Sequence, residues 1–107
     1  MLPSEQIIEE EIQAKNLNAP RVTPQQIDKL MEDVVYWYQC IPDTTTTIAV
    51  AFDRNGFSLA TGLSACADPD NFDEEIGKKI AIENAERKAR EELWRLEGYK
   101  LKRELYL

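Results

Sequence analysis

Two short alternating runs flank an Asn-Gly pair in the middle of the chain, and they restrict its possible folds more than any other feature. Ile48, Val50 and Phe52 alternate with Ala49 and Ala51, and Phe57, Leu59, Thr61 and Leu63 alternate with Ser58, Ala60 and Gly62. A period of two is the strand period, so each run reads as a strand with two unlike faces. Asp53-Arg54-Asn55-Gly56 joins them, and Asn-Gly favours a type I′ hairpin turn, which needs positive φ at both central residues. Upstream, Val34-Val35-Tyr36-Trp37-Tyr38 is β-branched and aromatic and runs into a turn at Pro42-Asp43, giving a further strand. The sequence thus predicts a three-stranded antiparallel meander. One face carries bulky Ile48, Val50, Phe52, Leu59 and Leu63; the other carries only Ala49, Ala51, Ser58, Ala60 and Gly62. A solvated face is normally polar, so a small and uncharged one implies close cover by a helix of the same chain or by a second copy.

Helical signals bracket the meander. Ser4 to about Asn16 is a short acidic helix with Ile7, Ile8 and Ile12 at helical spacing, too short to stand alone and so expected to dock. Asn16 to Arg21 is a linker. Thr23 then caps a second helix with Pro24 at its first position and Gln26 completing a capping box, and Ile27, Leu30 and Met31 form its buried face. Beyond the meander, Asp68-Pro69-Asp70 is a turn, and Asn71 with Glu74 forms a capping-box variant. The last helix is predicted from Phe72 to Leu96, with Gly98 as the residue that ends it. Its inward stripe is Ile76, Ile80, Ala81, Asn84, Ala85, Ala89, Leu93 and Leu96. Gly77 costs that helix about 1 kcal/mol of propensity, which points to close packing on the sheet or to a ligand. The fold class is α+β: two N-terminal helices, a three-stranded antiparallel β meander and a long C-terminal helix. Residues 1–107 read as one domain, with 1–18 an arm suited to oligomerisation.

Charge and residue types narrow the function. The net charge of −7 argues against direct binding of a nucleic-acid polymer. The charge is uneven: Lys78 to Arg103 holds nine basic against five acidic residues, a local +4 that suits a small anionic ligand. With no histidine, the commonest general base and metal ligand is missing. Cys40 and Cys66 form no CxxC and read as small buried hydrophobes in a reducing compartment. No signal-peptide pattern and no apolar run of membrane-spanning length is present, so the expected location is the cytoplasm, without a membrane partner.

Asp68, Asp70, Asp73, Glu74 and Glu75 cluster, but Phe72 stands where a calcium loop needs an oxygen, so no metal site is expected. The same carboxylates oppose a phosphate at this helix start. No Gly-rich phosphate loop, nucleophile elbow or cofactor motif occurs, and nothing marks a carboxylate pair for hydrolysis; no catalytic residue and no cofactor is assigned. Three features along the last helix have both a structural and a binding reading. Asn84 is either a buried hydrogen-bonding amide or a reader of a base edge. Phe72 is either a core plug or a stacking platform for a base. Arg87 and Lys88 are either a solvated face paired with Glu83, Glu91 and Glu92 or a phosphate clamp.

Ala19-Pro20-Arg21-Val22-Thr23-Pro24, Asp68-Pro69-Asp70-Asn71-Phe72-Asp73-Glu74-Glu75-Ile76-Gly77, Glu83-Asn84-Ala85 and Trp94-Arg95-Leu96-Glu97-Gly98-Tyr99 together resemble a family of small tailed-phage proteins known from phages N4 and Sf6. The resemblance spans roughly residues 19 to 99. The group is in turn similar to the anti-Thoeris decoy proteins, phage proteins that sequester the cyclic ADP-ribose-type signal of bacterial TIR enzymes without degrading it. The resemblance implies a non-catalytic sponge acting in the infected host cell, some relatives holding cyclic oligonucleotides, as in CBASS signalling, and assembling as dimers or hexamers. Carried to the matched positions, it makes Asn71, Phe72 and Asn84 candidate ligand residues; Arg87 and Lys88 join them on charge and helical position. Ala89 to Glu92 departs from the family pattern as about one extra helical turn, which unsettles the register of Arg95.

The expected function is therefore capture of a cyclic nucleotide signal by a homo-oligomer, without cleavage. The alternative is a phage accessory protein that binds a host protein through its acidic face. A hydrolase of the same nucleotides is a third class, disfavoured by the lack of histidine and of a metal pattern.

Overall fold

The computed structural model describes residues 1–107. Its elements follow the order α1 (Pro3–Ala14), α2 (Pro24–Met31), β1 (Val35–Cys40), β2 (Thr46–Phe52), β3 (Ser58–Ala65), a 3-10 turn (Pro69–Asn71) and α3 (Glu74–Tyr106). The fold is α+β, with a three-stranded antiparallel sheet in the order β1-β2-β3. The chain divides into two compact units. One comprises Asp33–Glu92; the other comprises Met1–Glu32 with Leu93–Leu107.

In the first unit the strand register sorts the side chains. Tyr36, Tyr38 and Cys40 of β1 pair with Ala51, Ala49 and Thr47 of β2, which pair in turn with Ala60, Gly62 and Ser64 of β3. These residues share one face. α3 lies on it with Gly77, Ala81, Ala85 and Ala89, four residues apart along one helical stripe and all buried. Ala49, Ala51, Ala81, Ala85 and Ala89 have no solvent exposure. The approach is so close that a Cβ on Gly62 would fall 2.2 Å from the Ala81 carbonyl oxygen and 2.4 Å from the Ala85 nitrogen. The expected cover over the small face is thus a helix of the same chain.

The inward stripe differs from the predicted one. Ile76 and Ile80 are 57% and 43% exposed, because a helix this near a sheet admits only Gly and Ala at the contact and turns bulkier residues aside; Leu96, in the other unit, is exposed as well. Gly77 has the packing explanation: a Cβ there would stand 2.9 Å from Thr47 Oγ1 and 3.4 Å from the Phe72 ring.

Three local details also correct the sequence reading. The hairpin is present, but only Gly56 has positive φ (82°), not Asn55. Gly56 N donates to Asp53 O and Asp53 N to Phe57 O, while Asp53 Oδ1 accepts from Asn55 N and Phe57 N. This is a three-residue loop with glycine in the left-handed region, followed by an irregularity at Ala51/Phe52 that leaves Leu59 without a partner in the register. The cap of α3 is Asp73, whose Oδ1 accepts from Ile76 N at 3.0 Å; Asn71 instead closes the 3-10 turn that Asp68 caps. Finally, α3 runs through Gly98 to Tyr106. Lys100, Leu101, Lys102, Arg103 and Glu104 are strong helix formers and outweigh the cost of one glycine.

In the second unit, Thr23 caps α2 through Gln26 N as predicted. The Gln26 side chain does not complete a capping box; its amide donates to Glu97 Oε1 at 3.1 Å. Ile27 is fully buried, whereas Leu30 is at the exposed margin. α1 is fastened by three polar contacts. Glu9 grips Arg21 with both carboxylate oxygens, Trp94 Nε1 donates to Glu5 Oε2 at 2.9 Å, and the Met1 ammonium meets Asp28 Oδ2 at 2.9 Å.

Candidate functional site

α3 carries the candidate residues in two groups. Asn84, Arg87 and Lys88 stand at i, i+3 and i+4, so they lie together on one flank of the helix. That flank borders β3, an edge strand: Asn84 Nδ2 donates to the Leu63 carbonyl at 2.9 Å. The amide nitrogen therefore satisfies a sheet-edge carbonyl. Arg87 is exposed and reaches Glu91 at 3.8 Å, a loose i, i+4 pair of the kind that contributes a few tenths of a kcal/mol, roughly 0.3–0.5. Lys88 is exposed. An amide and two cations thus share an accessible surface.

Asn71 and Phe72 form the other group, at the start of α3. Asn71 is exposed, and Phe72 is half-buried against Gly77. From the first turn of α3 to Asn84 is roughly 15 Å along the helix axis at 1.5 Å per residue. One copy of the chain therefore brings Asn84, Arg87 and Lys88 together but does not bring Asn71 and Phe72 to them. Thr47, which faces Gly77 near the start of α3, is 1% exposed and its hydroxyl has no hydrogen-bond partner.

The remaining charges near the sheet have assigned neighbours. Lys78 Nζ lies 4.4 Å from the centroid of the Tyr38 ring, a cation–π contact that occupies the first lysine of the basic stretch. Burial, with a smaller contribution from the Glu86 charge, pushes the Tyr36 phenol above its ordinary value. Asp68 and Asp73 serve as caps, and Glu74 and Glu75 sit in the first turn where they complement the helix dipole. No group of three or more carboxylate or thiol side chains converges as metal ligands. No helix is long and apolar enough to cross a membrane.

A cavity of about 280 Å3 occurs in the other unit, lined by Ile8, Ile12, Val22, Pro24 and Trp94 with Glu9 and Arg21 at its side. Sequence reading treated Arg21 as linker and did not connect Glu9 with it. The signal was present: Glu5, Ile8, Glu9 and Ile12 share one face of α1, acid and apolar residues in alternation along a stripe. The Arg21 hydrogen bonds hold the Glu9 carboxyl below its ordinary value, against the opposing effect of burial.

Residues 22–105 match the model of the phage protein (N4 Gp49/phage Sf6 gene 66) family. The chain belongs to that family. No curated protein and no solved structure matches the chain. The N4 Gp49/Sf6 gene 66 segment includes every candidate residue on α3 and leaves α1 outside it.

Proposed function

We propose that this phage-family protein captures a cyclic nucleotide signal of the cyclic ADP-ribose or cyclic oligonucleotide type and holds it intact, in the cytoplasm of the infected cell, as a counter-defence sponge. The observation that carries the reading is the accessible Asn84–Arg87–Lys88 flank of α3, an amide and two cations within an otherwise acidic chain. An amide oxygen suits an exocyclic amine, and a guanidinium beside an ammonium suits a pyrophosphate. Phe72 supplies an aromatic face and Asn71 a further amide at the start of the same helix, in a protein that pairs with a second copy. The set holds no imidazole, carboxylate, thiol or hydroxyl, and its lysine is exposed with no base beside it to activate it, so binding without cleavage is the chemistry it suits.

The second copy is supported by the outer face of the sheet. Val35, Trp37 and Leu63 are 56%, 49% and 56% exposed there, with Ile48, Val50 and Phe52 half-buried between them. Gln39, Thr46, Thr61, Ala65 and Ser58, which the irregularity beside Phe52 turns to this side, complete the face, which has no charged residue. Such a patch, on the order of a few hundred Å2, is of the size that on a monomer is often functional. Two like faces packed sheet on sheet approach the roughly 1,000 Å2 of a specific interface. In a protein of net charge −7, an uncharged face is also where two copies meet with least repulsion.

The test is release. The protein is incubated with cyclic ADP-ribose or with cyclic dinucleotides, separated from free ligand, heat-denatured, and the supernatant analysed by chromatography. Recovery of intact nucleotide supports the sponge. A cleaved product replaces it with the hydrolase reading. No capture of any of these ligands leaves the accessory protein that binds a host protein through its acidic face, for which the exposed Glu10 and Glu11 of α1 supply the charge.

A further inference from the structure

The free edge of β3 runs beside the amide and cation flank of α3, and parity sorts its backbone groups. Cys66 N donates to Thr45 O, so along the register Ser64 and Gly62 are the residues that bond to Thr47 and Ala49 of β2. The alternate residues, Thr61 and Leu63, therefore direct their N–H and C=O groups away from β2. They point off the end of the sheet, where no further strand lies. Both residues are exposed.

Asn84 decides what this edge can accept. Its Nδ2 donates to the Leu63 carbonyl at 2.9 Å, and that carbonyl is one an added strand would need. A ladder with one rung taken by a side chain cannot be continued, so the amide keeps a further strand off the edge. Gly77 meets Thr47, the partner of Ser64, while Ala81 and Ala85 close on Gly62. α3 thus runs opposite to β3 and carries Arg87 and Lys88, one turn beyond Asn84, toward Thr61. What stays open is short: the Thr61 carbonyl and the Leu63 N–H, an acceptor and a donor on one extended edge with two cations beside them. Such an opening is too small for a peptide strand and matches one planar heterocycle that carries phosphate.

We propose that this edge is the base-reading part of the ligand site and that the base it takes is adenine. The adenine amine donates to the Thr61 carbonyl, and the ring nitrogen next to the amine accepts from the Leu63 N–H. Arg87 and Lys88 then face the phosphates. The inference deepens the nucleotide-capture reading above and rests on it: the α3 flank supplies the charge, and the β3 edge supplies the hydrogen-bond pattern. The groups concerned lie in the plane of the sheet, so packing of its outer face against a second copy leaves them open.

Exchange of a backbone amide for an ester tests the contact without altering a side chain. Full-length protein is assembled with the α-hydroxy counterpart of leucine at position 63, which replaces that N–H by an ester oxygen. The same exchange at Ala65, the next outward-directed residue of β3, is the control, because it weakens a ladder carbonyl to the same degree. Each protein is titrated calorimetrically with cyclic ADP-ribose and with cyclic di-AMP. The expected result, for whichever probe wild type binds, is affinity about tenfold lower or worse in the Leu63 ester and within about twofold of wild type in the Ala65 ester. Hydrogen exchange of the wild-type protein gives a second readout that needs no variant to fold: saturating probe should slow exchange of the Leu63 amide and leave that of Ala65 unchanged. Equal affinity in the two esters, or a Leu63 amide whose exchange the bound probe does not alter, overturns the edge contact and leaves the sponge standing. If wild type binds neither probe, the edge contact and the nucleotide-capture reading fall together.

Discussion

The two faces of the sheet use opposite side chains and meet opposite fates. The inner face, built from Ala49, Ala51, Ala60 and Gly62, is sealed by the Gly and Ala stripe of α3, backbone almost on backbone. The outer face, built from Val35, Trp37, Ile48, Val50, Phe52 and Leu63, carries the larger hydrophobic payload and is left open. Most small domains bury their largest residues first. Here the α3 contact on β2 and β3 is made of small residues, with Tyr36 and Tyr38 of β1 beside it, which gives precision of approach but little apolar area per residue, while Val35, Trp37 and Leu63 face outward. The difference teaches that the chain folds around one face and leaves the other, the more apolar one, as the surface through which the proposed association would run.

The comparison breaks most sharply at Gly62. Gly62→Val puts methyl groups into the Ala81 carbonyl and Ala85 nitrogen and should cost at least the upper end of the roughly 1–3 kcal/mol of core overpacking, read as a lower urea midpoint. The matching change on the open face, Leu63→Glu, should shift stability of the monomer by no more than about 0.5–1 kcal/mol, since its side chain is already more than half exposed. Its effect should instead appear as loss of self-association in sedimentation equilibrium. If Leu63→Glu destabilises as much as Gly62→Val, the outer face is core rather than interface.

Smaller changes sharpen the same picture along α3. Asp73→Ala should cost about 1 kcal/mol through the lost cap, whereas Asn71→Ala should leave thermal unfolding nearly unmoved. Thr47→Val should raise stability slightly, by about 1 kcal/mol or less, because it replaces an unpartnered buried hydroxyl. Gly98→Ala should also stabilise, by up to about 1 kcal/mol, since a Cβ there meets nothing within 4 Å and the position is helical.

Acid should affect the arm rather than the sheet. The Glu9 carboxyl is held below its ordinary value by its hydrogen bonds to Arg21, so its contribution is fully present above the usual carboxylate range. That contribution is lost as pH falls through the lowered folded value, where protonation of Glu9 frees Arg21. Hydrogen exchange of α1 amides should therefore rise at low pH before that of β2 and the Ala81–Ala89 stretch. Uniform protection across both would count against the arm as the weaker attachment.

How far residues announced this arrangement depends on which force decided each element. The meander was legible because alternation and a glycine turn are local signals, and the unlike faces followed from parity alone. The turn type was not, because Asn-Gly serves a two-residue loop and a three-residue loop equally, and the Asp53 carboxylate, bonding Asn55 and Phe57, decided for the latter. On the α3 stripe Ala81, Ala85, Ala89 and Leu93 are buried as their spacing predicts, whereas Ile76 and Ile80 turn outward, because hydrophobicity favours them at the contact and the helix-to-sheet distance admits only Gly77 there. Gly98 was taken as an end because local propensity was weighed without the helix formers beyond it. At the candidate site, the i, i+3, i+4 grouping of Asn84, Arg87 and Lys88 was readable, and the Leu63 carbonyl that claims half of the Asn84 amide was not. Glu9 and Arg21 escaped notice because their pairing depends on how a linker folds back.

The most direct measurement is a calorimetric titration of cyclic ADP-ribose into wild type and into an Arg87→Ala/Lys88→Ala double variant, with circular dichroism confirming that both are folded. The expected result is binding by wild type and binding weaker by roughly tenfold or more in the folded variant, which lacks both cations of the α3 flank. Equal affinity in the variant would contradict that flank as the ligand site.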